Sequence, residues 1–376
     1  MPDRPIRIAI LDDGVHPKAC PLAGSFLVDD ELNFTPLEQD TVSSDSHGSM
    51  CARIIARYTD LDKVDVYSIQ IICGDTWRGN IGRILKAFEL CVSLDIRLIH
   101  LSVGTYIFED FALLEDAVQN LNDTNRILVA STGNRGTVTY PAYLPGVFGV
   151  QYHPELADGE YVYYHDPFTR IHLQASAKHN LIIEGQEIET QLSNSYATPL
   201  ITAKILSYLK VNANLEQNEI THLLKENALH HTSVKKNEPN HGALVELPVV
   251  VLSGFSIDRL HCLLELLMNR LREDDYNARA ASNLPGIRPW DETILPETAE
   301  LDHFIARMAL YFHCEIVLLG LVSYIPPDRC TNVSLWIYGD KSNYYPTTDI
   351  LADGQVLCVN EQSDSKVYER MITMLT

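Results

Sequence analysis

The sequence predicts an α/β protein: a doubly wound parallel sheet followed by a second, smaller α/β unit. The first observation behind this is a repeated alternation, up to about residue 250, of short apolar runs with segments of helical periodicity. Such alternation implies parallel strands joined by helices that cover both faces. The second is a restart of the pattern after Val249-Val250-Val251-Leu252, which divides the chain into 1–252 and 253–376.

Taken in order, Arg7–Leu11 reads as a strand and Gly48–Tyr58 as a helix with Cys51, Ile54 and Ile55 on one face. Val64–Ile72 is the next strand, and Ile81, Ile84, Leu85, Phe88 and Val92 recur at helical spacing. Arg97–Ser102, Ile127–Ala130 and Val147–Gln151 read as strands, with a helix at Asp110–Leu121. Residues 153–192 differ. Tyr161–Tyr164, Ile171–Gln174 and Leu181–Glu184 are short β-like pieces between polar turns, closer to hairpins than to crossover units. Helices are expected at Thr198–Leu209 and Glu216–Ala228.

In the second unit Ile257, Leu260, Leu264, Leu267 and Leu271 mark one side of a helix. A proline-rich stretch at 284–296, a helix at 299–312, apolar runs at 315–324, 333–338 and 356–359, and a helix at 365–374 complete it. Gly254, after the first strand, has the position of a phosphate-binding turn. No G-x-x-x-x-G-K-[ST] follows, so the lysine of such a site is missing and a packing role is the simpler reading.

Composition excludes several classes. Apolar residues make up 46 % and charged residues 21 %, ordinary for a packed globular protein. No apolar run approaches the roughly 20 residues a membrane span needs. The start, Met1-Pro2-Asp3-Arg4-Pro5, runs directly into an apolar strand without the layout of a signal peptide, which points to a cytoplasmic location. The eight cysteines form no C-x-x-C pair, so reduced thiols are expected in place of a zinc ribbon or disulfide framework. A net charge of −21 repels nucleic acid and anionic membranes, leaving a peptide or protein as the expected partner. No cofactor is expected.

Four segments carry groups suited to chemistry. Ile10-Leu11-Asp12-Asp13-Gly14 ends a buried strand on an acid, with a glycine that lets the backbone turn sharply. Ser46-His47-Gly48 opens a helix, where the dipole disfavours imidazolium and keeps a neutral base available. Ala130-Ser131-Thr132-Gly133-Asn134 ends a strand in small residues and an amide able to donate to an oxyanion. Ser193-Asn194-Ser195-Tyr196-Ala197-Thr198-Pro199 leads into a helix whose first turn accepts the proline. Each has an ordinary alternative: a turn acid, a capping histidine, a turn-forming asparagine, an N-cap serine.

Together, in this order, the segments resemble the subtilisin-like serine peptidases over about residues 6–250. They match that family's D-x-G, H-G-x-x-x-A, A-x-x-G-N and S-x-A-x-P motifs. Leu101-Ser102-Val103-Gly104 is similar to its S-x-G strand end, which pairs with substrate. Tyr140-Pro141-Ala142 through Val150 looks like the segment after its oxyanion asparagine. The resemblance implies a subtilisin-like fold and a serine endopeptidase. Ser195 would be the nucleophile, His47 the base, Asp12 its orienter and Asn134 an oxyanion donor, with Asp13 in a position where the family has Ser or Thr. By the same resemblance Ser102, Val103 and Gly104 face Ser131, Thr132 and Gly133 across the primary specificity pocket, with Thr139 near its base. Ser193-Asn194 stands where the family has Gly-Thr, and a side chain at 193 is crowded only if that residue needs a glycine-like dihedral. A cytoplasmic protease of broad activity would endanger its host, which favours processing of a restricted substrate such as a leader or precursor peptide. A catalytically weak, peptide-binding member is the alternative. Residues 253–376 are expected to serve recognition.

Overall fold

The computed structural model of the chain describes residues 4–38, 41–72, 81–105, 110–134, 139–163, 171–183, 185–229, 247–274, 276–282, 293–294, 305, 308–309, 312, 314–321, 333–339, 355–358 and 364–375. The chain forms two compact units, 1–234 and 235–376. Among the described residues no helix is long and apolar enough to cross a membrane.

In the first unit one sheet of nine strands contains β1 (Ile6–Asp12), β2 (Gly24–Val28), β3 (Phe34–Pro36), β4 (Val64–Gln70) and β5 (Leu98–Leu101). Its other members are β6 (Ile127–Ser131), β7 (Val147–Tyr152), β8 (Tyr161–Tyr163) and β9 (Leu173–Ala175). The spatial order is β3-β2-β4-β1-β5-β6-β7-β9-β8. Neighbours run parallel except β2–β3 and β8–β9, so the expected parallel sheet is present with an antiparallel strand at each edge. A hairpin, β10 (Asn180–Ile183) with β11 (Gln186–Glu189), stands apart from it. The apolar pattern of the sequence does not reveal β2 and β3. They lie at an edge and are only partly buried, so neither shows a continuous apolar run.

β1 lies between β4 and β5. Up to β4 the chain builds one side of it, and from β5 onward the other. The carboxyl end of β1, which is Asp12, therefore stands at the point where the connections diverge. Helix α1 (His47–Tyr58) packs against α4 (Asn194–Val211) on one face, with α5 (Gln217–Glu226) beside α4. Ile8, Ile10, Val129 and Val150 from the strands and Ala52, Ile55, Leu200 and Ile205 from these helices share one apolar core. α2 (Ile81–Ser93) and α3 (Asp110–Asp123) pack together outside that cluster.

α4 is buried on nearly every side, which is why its apolar residues follow no single stripe. Its buried threonines are satisfied within the helix: Thr198 Oγ1 donates to the Asn194 carbonyl at 2.7 Å and Thr202 Oγ1 to the Thr198 carbonyl at 3.2 Å. Burial of Leu200, Ile201 and Leu206 contributes about 1.5–3 kcal/mol each.

The second unit has a six-stranded parallel sheet of β12 (Val249–Ser253), β13 (Ala278–Ser282), β14 (Thr293–Ile294), β15 (Ile316–Leu321), β16 (Leu335–Tyr338) and β17 (Gln355–Cys358). Its order is β14-β13-β15-β12-β16-β17, so the Val249 strand stands inside it. α6 (Ile257–Glu273) turns Leu260, Leu264, Leu267 and Leu271 into a core shared with Val367 and Met371 of α7 (Asp364–Leu375). Most of the helix expected at 299–312 and of the proline-rich stretch falls outside the described residues; within the former Ile305, Met308, Ala309 and Phe312 are helical and buried.

The seat of α1 is narrow. A Cβ on Gly48 would lie 2.4 Å from the Gly14 carbonyl oxygen and 3.1 Å from Asp12 Cβ, and Gly14 itself has φ +102°. Gly48→Ala should therefore push α1 off β1 and cost about 1–3 kcal/mol, the range for overpacking. Urea unfolding at a wild-type midpoint would show that no such contact exists.

Candidate active site

Asp12 ends β1 with its side chain fully buried. Its Oδ1 accepts the Asp13 N–H at 2.9 Å, and its Oδ2 lies 2.8 Å from His47 Nδ1. Since Oδ2 is an acceptor, Nδ1 carries the proton and Nε2 faces away from the carboxylate. Asp13 has a different task. Its carboxylate accepts the backbone N–H of His47 at 3.0 Å and of Gly48 at 2.8 Å. The Ser46 side chain accepts the Ser49 N–H at 3.1 Å, and the Ser46 N–H itself donates to the Ser43 carbonyl at 3.2 Å. All four orphan donors of α1 are thus paired, and the helix cannot rock without losing several bonds. Burial, then the neighbouring Asp12 charge, raise the Asp13 pKa against the lowering effect of those amides.

The electrostatics of His47 differ from the expectation of a ring kept neutral by the helix dipole. Burial works against its imidazolium, but the contributions of Cys51 and Asp12 prevail and the pKa is raised. Burial pushes the Cys51 thiol up as well, so at neutral pH it is uncharged and the Asp12 carboxylate supplies the attraction. The dipole is outweighed because a full charge 2.8 Å away exceeds partial charges that Asp13 already engages.

α4 begins earlier than the sequence pattern predicts. Ser193 is its N-cap and Asn194 its first residue, so Ser195 lies within the first turn and Pro199 lies inside the helix. Proline brings no N–H to the Ser195 carbonyl, and the Cys51 thiol takes that acceptor at 3.8 Å. Ser193 has φ −152° and ψ 154°, extended backbone that needs no glycine. The amides of Asn194, Tyr196 and Ala197 go to Asn134 Oδ1 (2.8 Å), Ser193 Oγ (3.3 Å) and the Ser193 carbonyl (3.2 Å). Among the described residues the Ser195 N–H is the one first-turn amide without a partner. Because Asn134 Oδ1 accepts from Asn194, the Asn134 NH2 group is the end left to donate elsewhere.

Asn194 ties the third segment to the fourth. Its Nδ2 donates to Thr132 O at 3.1 Å, Thr132 Oγ1 at 2.9 Å and Gly133 O at 2.9 Å, while its Oδ1 accepts the Tyr152 N–H at 2.9 Å. Ser131, Thr132, Gly133 and Asn134 are thereby held beside the start of α4. Ser102, Val103 and Gly104 continue from β5 beyond its last ladder pairs, Leu11↔Leu101 and Leu101↔Ala130. A bridge between Thr105 and Tyr140 then closes them against Thr139 (N–H to O 2.9 and 2.7 Å). A Cβ on Gly104 would stand 3.4 Å from Thr139 Cβ.

Two contacts join the His47 and Ser195 segments. The Tyr196 ring stacks on the His47 ring at 5.2 Å, and Cys51 Sγ lies 3.9 Å from His47 Nδ1 as well as 3.8 Å from the Ser195 carbonyl. Among the described residues the hydrogen bond of the Ser195 hydroxyl goes to Ser193 Oγ at 3.0 Å. Tyr196 is braced by the buried His179, whose Nε2 lies 2.8 Å from its carbonyl and whose Nδ1 lies 2.7 Å from Tyr58 Oη. Atoms of Asp12, His47 and Cys51 lie within 4.8 Å of one another, close enough to suggest metal ligands. The Asp12–His47 bond already uses two of the three.

The sequence assigns no site role to Cys51, Asn194, Tyr196, His100 or His179. A histidine inside the apolar run Leu98-Ile99-His100-Leu101 is a visible sign, because a polar ring on a buried strand requires partners. The others give none, as their roles depend on segments far away in sequence.

The family model for the subtilase family matches residues 3–244, and the chain belongs to that family, the subtilisin-like serine endopeptidases. A search of curated proteins gave no match. Similar solved structures include the S41 psychrophilic protease, with TM-score 0.47, 17 % identity, and coverage of 60 % of this chain and 83 % of that one. The prenylagaramide maturation protease PagA has TM-score 0.41, 22 % identity and coverage of 56 % and 78 %. The nisin leader peptidase NisP from Lactococcus lactis has TM-score 0.47, 12 % identity and coverage of 62 % and 85 %.

Activity that uses His47 as a base must rise with pH as the raised imidazolium pKa is passed. Asp12→Asn removes the charge that holds the proton, so the acid limb of the kcat–pH profile should move to lower pH. Turnover should fall by on the order of 10⁴, the loss found at the matching acid of a serine protease. An unmoved limb would dissociate Asp12 from the base.

Proposed function

We propose that this chain hydrolyses peptide bonds with Ser195 as nucleophile, His47 as general base and acid, and Asp12 as the group that orients the imidazole and stabilises its charged form. The Asn134 side chain and the Ser195 N–H would receive the oxyanion. The observation that carries this is the 2.8 Å bond from His47 Nδ1 to a fully buried carboxylate, which leaves Nε2 as the ring's base. The Ser195 amide, which has no partner among the described residues, follows an Asn194 whose N–H already engages the Asn134 oxygen, and this supports the oxyanion assignment. Ser102, Val103 and Gly104 would pair with the substrate backbone. Ser131, Thr132 and Gly133 would form the opposite wall of the specificity pocket, and Thr139 would lie at its base.

For the substrate, the reading is restricted processing in the cytoplasm, such as removal of a leader or maturation of a precursor. Among the described residues Cys20, Cys51, Cys91, Cys262 and Cys314 are free thiols, which suits a reducing compartment. Indiscriminate hydrolysis there would attack the host's own proteins. We assign the C-terminal unit to recognition of that substrate or of a partner, since it has a core of its own and holds none of the four catalytic candidates. A chain ending just before Val249 should then hydrolyse a short peptide normally, while cleavage of the full natural substrate falls about tenfold or more. Equal loss of both activities would assign the unit to stability.

One observation favours a catalytically weak peptide-binding member: the Ser195 hydroxyl is bonded to Ser193. A fluorophosphonate probe separates the two readings, because only an activated serine reacts. The wild-type protein should label, and Ser195→Ala should lose both labelling and hydrolysis with its fold intact. Asn134→Ala should reduce kcat by about 10²–10³ with little change in KM. Labelling that survives Ser195→Ala would exclude Ser195, and a loss under about threefold would remove Asn134 from the site.

A further inference from the structure

His100 is completely buried in the middle of β5, paired on one side with Ile10 and on the other with Val129. A polar ring there is tolerated only if both nitrogens are satisfied. Nδ1 lies 2.9 Å from Thr202 Oγ1 and Nε2 lies 2.8 Å from Ser102 Oγ. The direction of each bond follows from counting protons. The Thr202 hydroxyl spends its hydrogen on the Thr198 carbonyl at 3.2 Å, so toward His100 it can only accept. Nδ1 therefore carries the proton. Nε2 is bare and accepts the Ser102 hydroxyl hydrogen. The Ser102 oxygen then stands 3.6 Å from Cys51 Sγ, whose own hydrogen is directed to the Ser195 carbonyl.

This chain of bonds runs from the centre of α4, through the sheet, to the first residue of segment 102–104. Burial keeps His100 neutral, lowering its pKa to about 4 even though the Asp12 charge acts the other way; the His47 charge adds to the lowering. The proton pattern just described thus holds throughout the neutral range. Ser102 is the residue at which the strand leaves the ladder on both sides, so no sheet bond beyond Leu101 sets its direction. The hydroxyl anchor supplies that constraint.

We propose that His100 is a positioning residue for substrate binding: by holding the Ser102 hydroxyl it fixes the orientation of the 102–104 edge against which a peptide pairs. It touches no substrate itself. The inference rests on the peptidase reading and deepens it, since it places control of substrate affinity on a buried strand residue behind the site.

The test compares His100→Phe, which keeps a flat ring but makes no such bonds, with the milder Thr202→Val, which removes the acceptor for Nδ1–H. Hydrolysis of a peptide library is followed, with active sites counted by fluorophosphonate titration. Both variants should raise KM about three- to tenfold, the range one hydrogen bond is worth. The kcat per titrated site should stay within about twofold, the signature of lost uniform binding. His100→Gln, which retains an acceptor and a donor, should restore most of the affinity. Damage to the fold alone would lower the titrated fraction and leave KM unchanged, and that result would overturn the proposal. So would a fall in kcat per site at unchanged KM. Wild-type protein that fails to label would remove the peptidase reading, and this inference with it, whereas labelled protein with an unmoved KM would remove this inference alone.

Discussion

A carboxylate enclosed by protein is stable only if both of its oxygens are hydrogen-bonded, and Asp12 imposes that condition on everything around it. One oxygen is bonded to the next residue's amide and the other to His47. Bringing His47 within reach requires α1 to enter at the very end of β1, which the absence of a Cβ on Gly48 permits. The helix end so buried must then have its own donors satisfied, and Asp13 and Ser46 do this between them. Two adjacent acids thus have opposite assignments: one is aimed at a side chain, the other at backbone.

The second helix at the site, α4, solves a different problem. It must bring an open helix N-terminus to the same place while being buried along its length. Its first-turn amides are distributed so that neighbours hold Asn194, Tyr196 and Ala197 and leave that of Ser195. Pro199 frees the Ser195 carbonyl from the helix ladder, and the Cys51 thiol of α1 occupies it. The two helices are therefore joined at the site by a weak sulfur contact and by Tyr196 stacked on His47, in addition to the apolar packing behind it. Tyr196 is in turn held by His179, so the hairpin side of the fold contributes to where the His47 ring lies.

Much of this arrangement is legible in the linear pattern of residues. The alternation of strand and helix periods defines a parallel sheet because each apolar run is buried on both faces and reads the same in any context. Asp12, His47, Asn134 and Ser195 can be picked out because their four segments follow one another in the order of the subtilisin-like motifs, while the local sequence of each has an ordinary alternative. Strands at the margin escape: β2 and β3 bury too little to show a continuous apolar run. β13 consists of Ala-Arg-Ala-Ala-Ser, which has no strand preference of its own and becomes one by pairing with β15.

What the sequence determined by itself was the identity of the chemical groups and the elements that carry them. Tertiary structure decided their states. The protonation of His47 turned on a carboxylate 35 positions away, and the helix dipole that argued for a neutral ring was overruled by it. The start of α4 moved ahead of Ser195 because Ser193 found the Tyr196 amide and Asn194 found Thr132 and Gly133. His100 acquired a defined tautomer only through a threonine 102 positions later on another element. Hydrogen bonds and charges act across space at a few ångströms, and a linear pattern records which groups exist but not which of them the fold sets side by side.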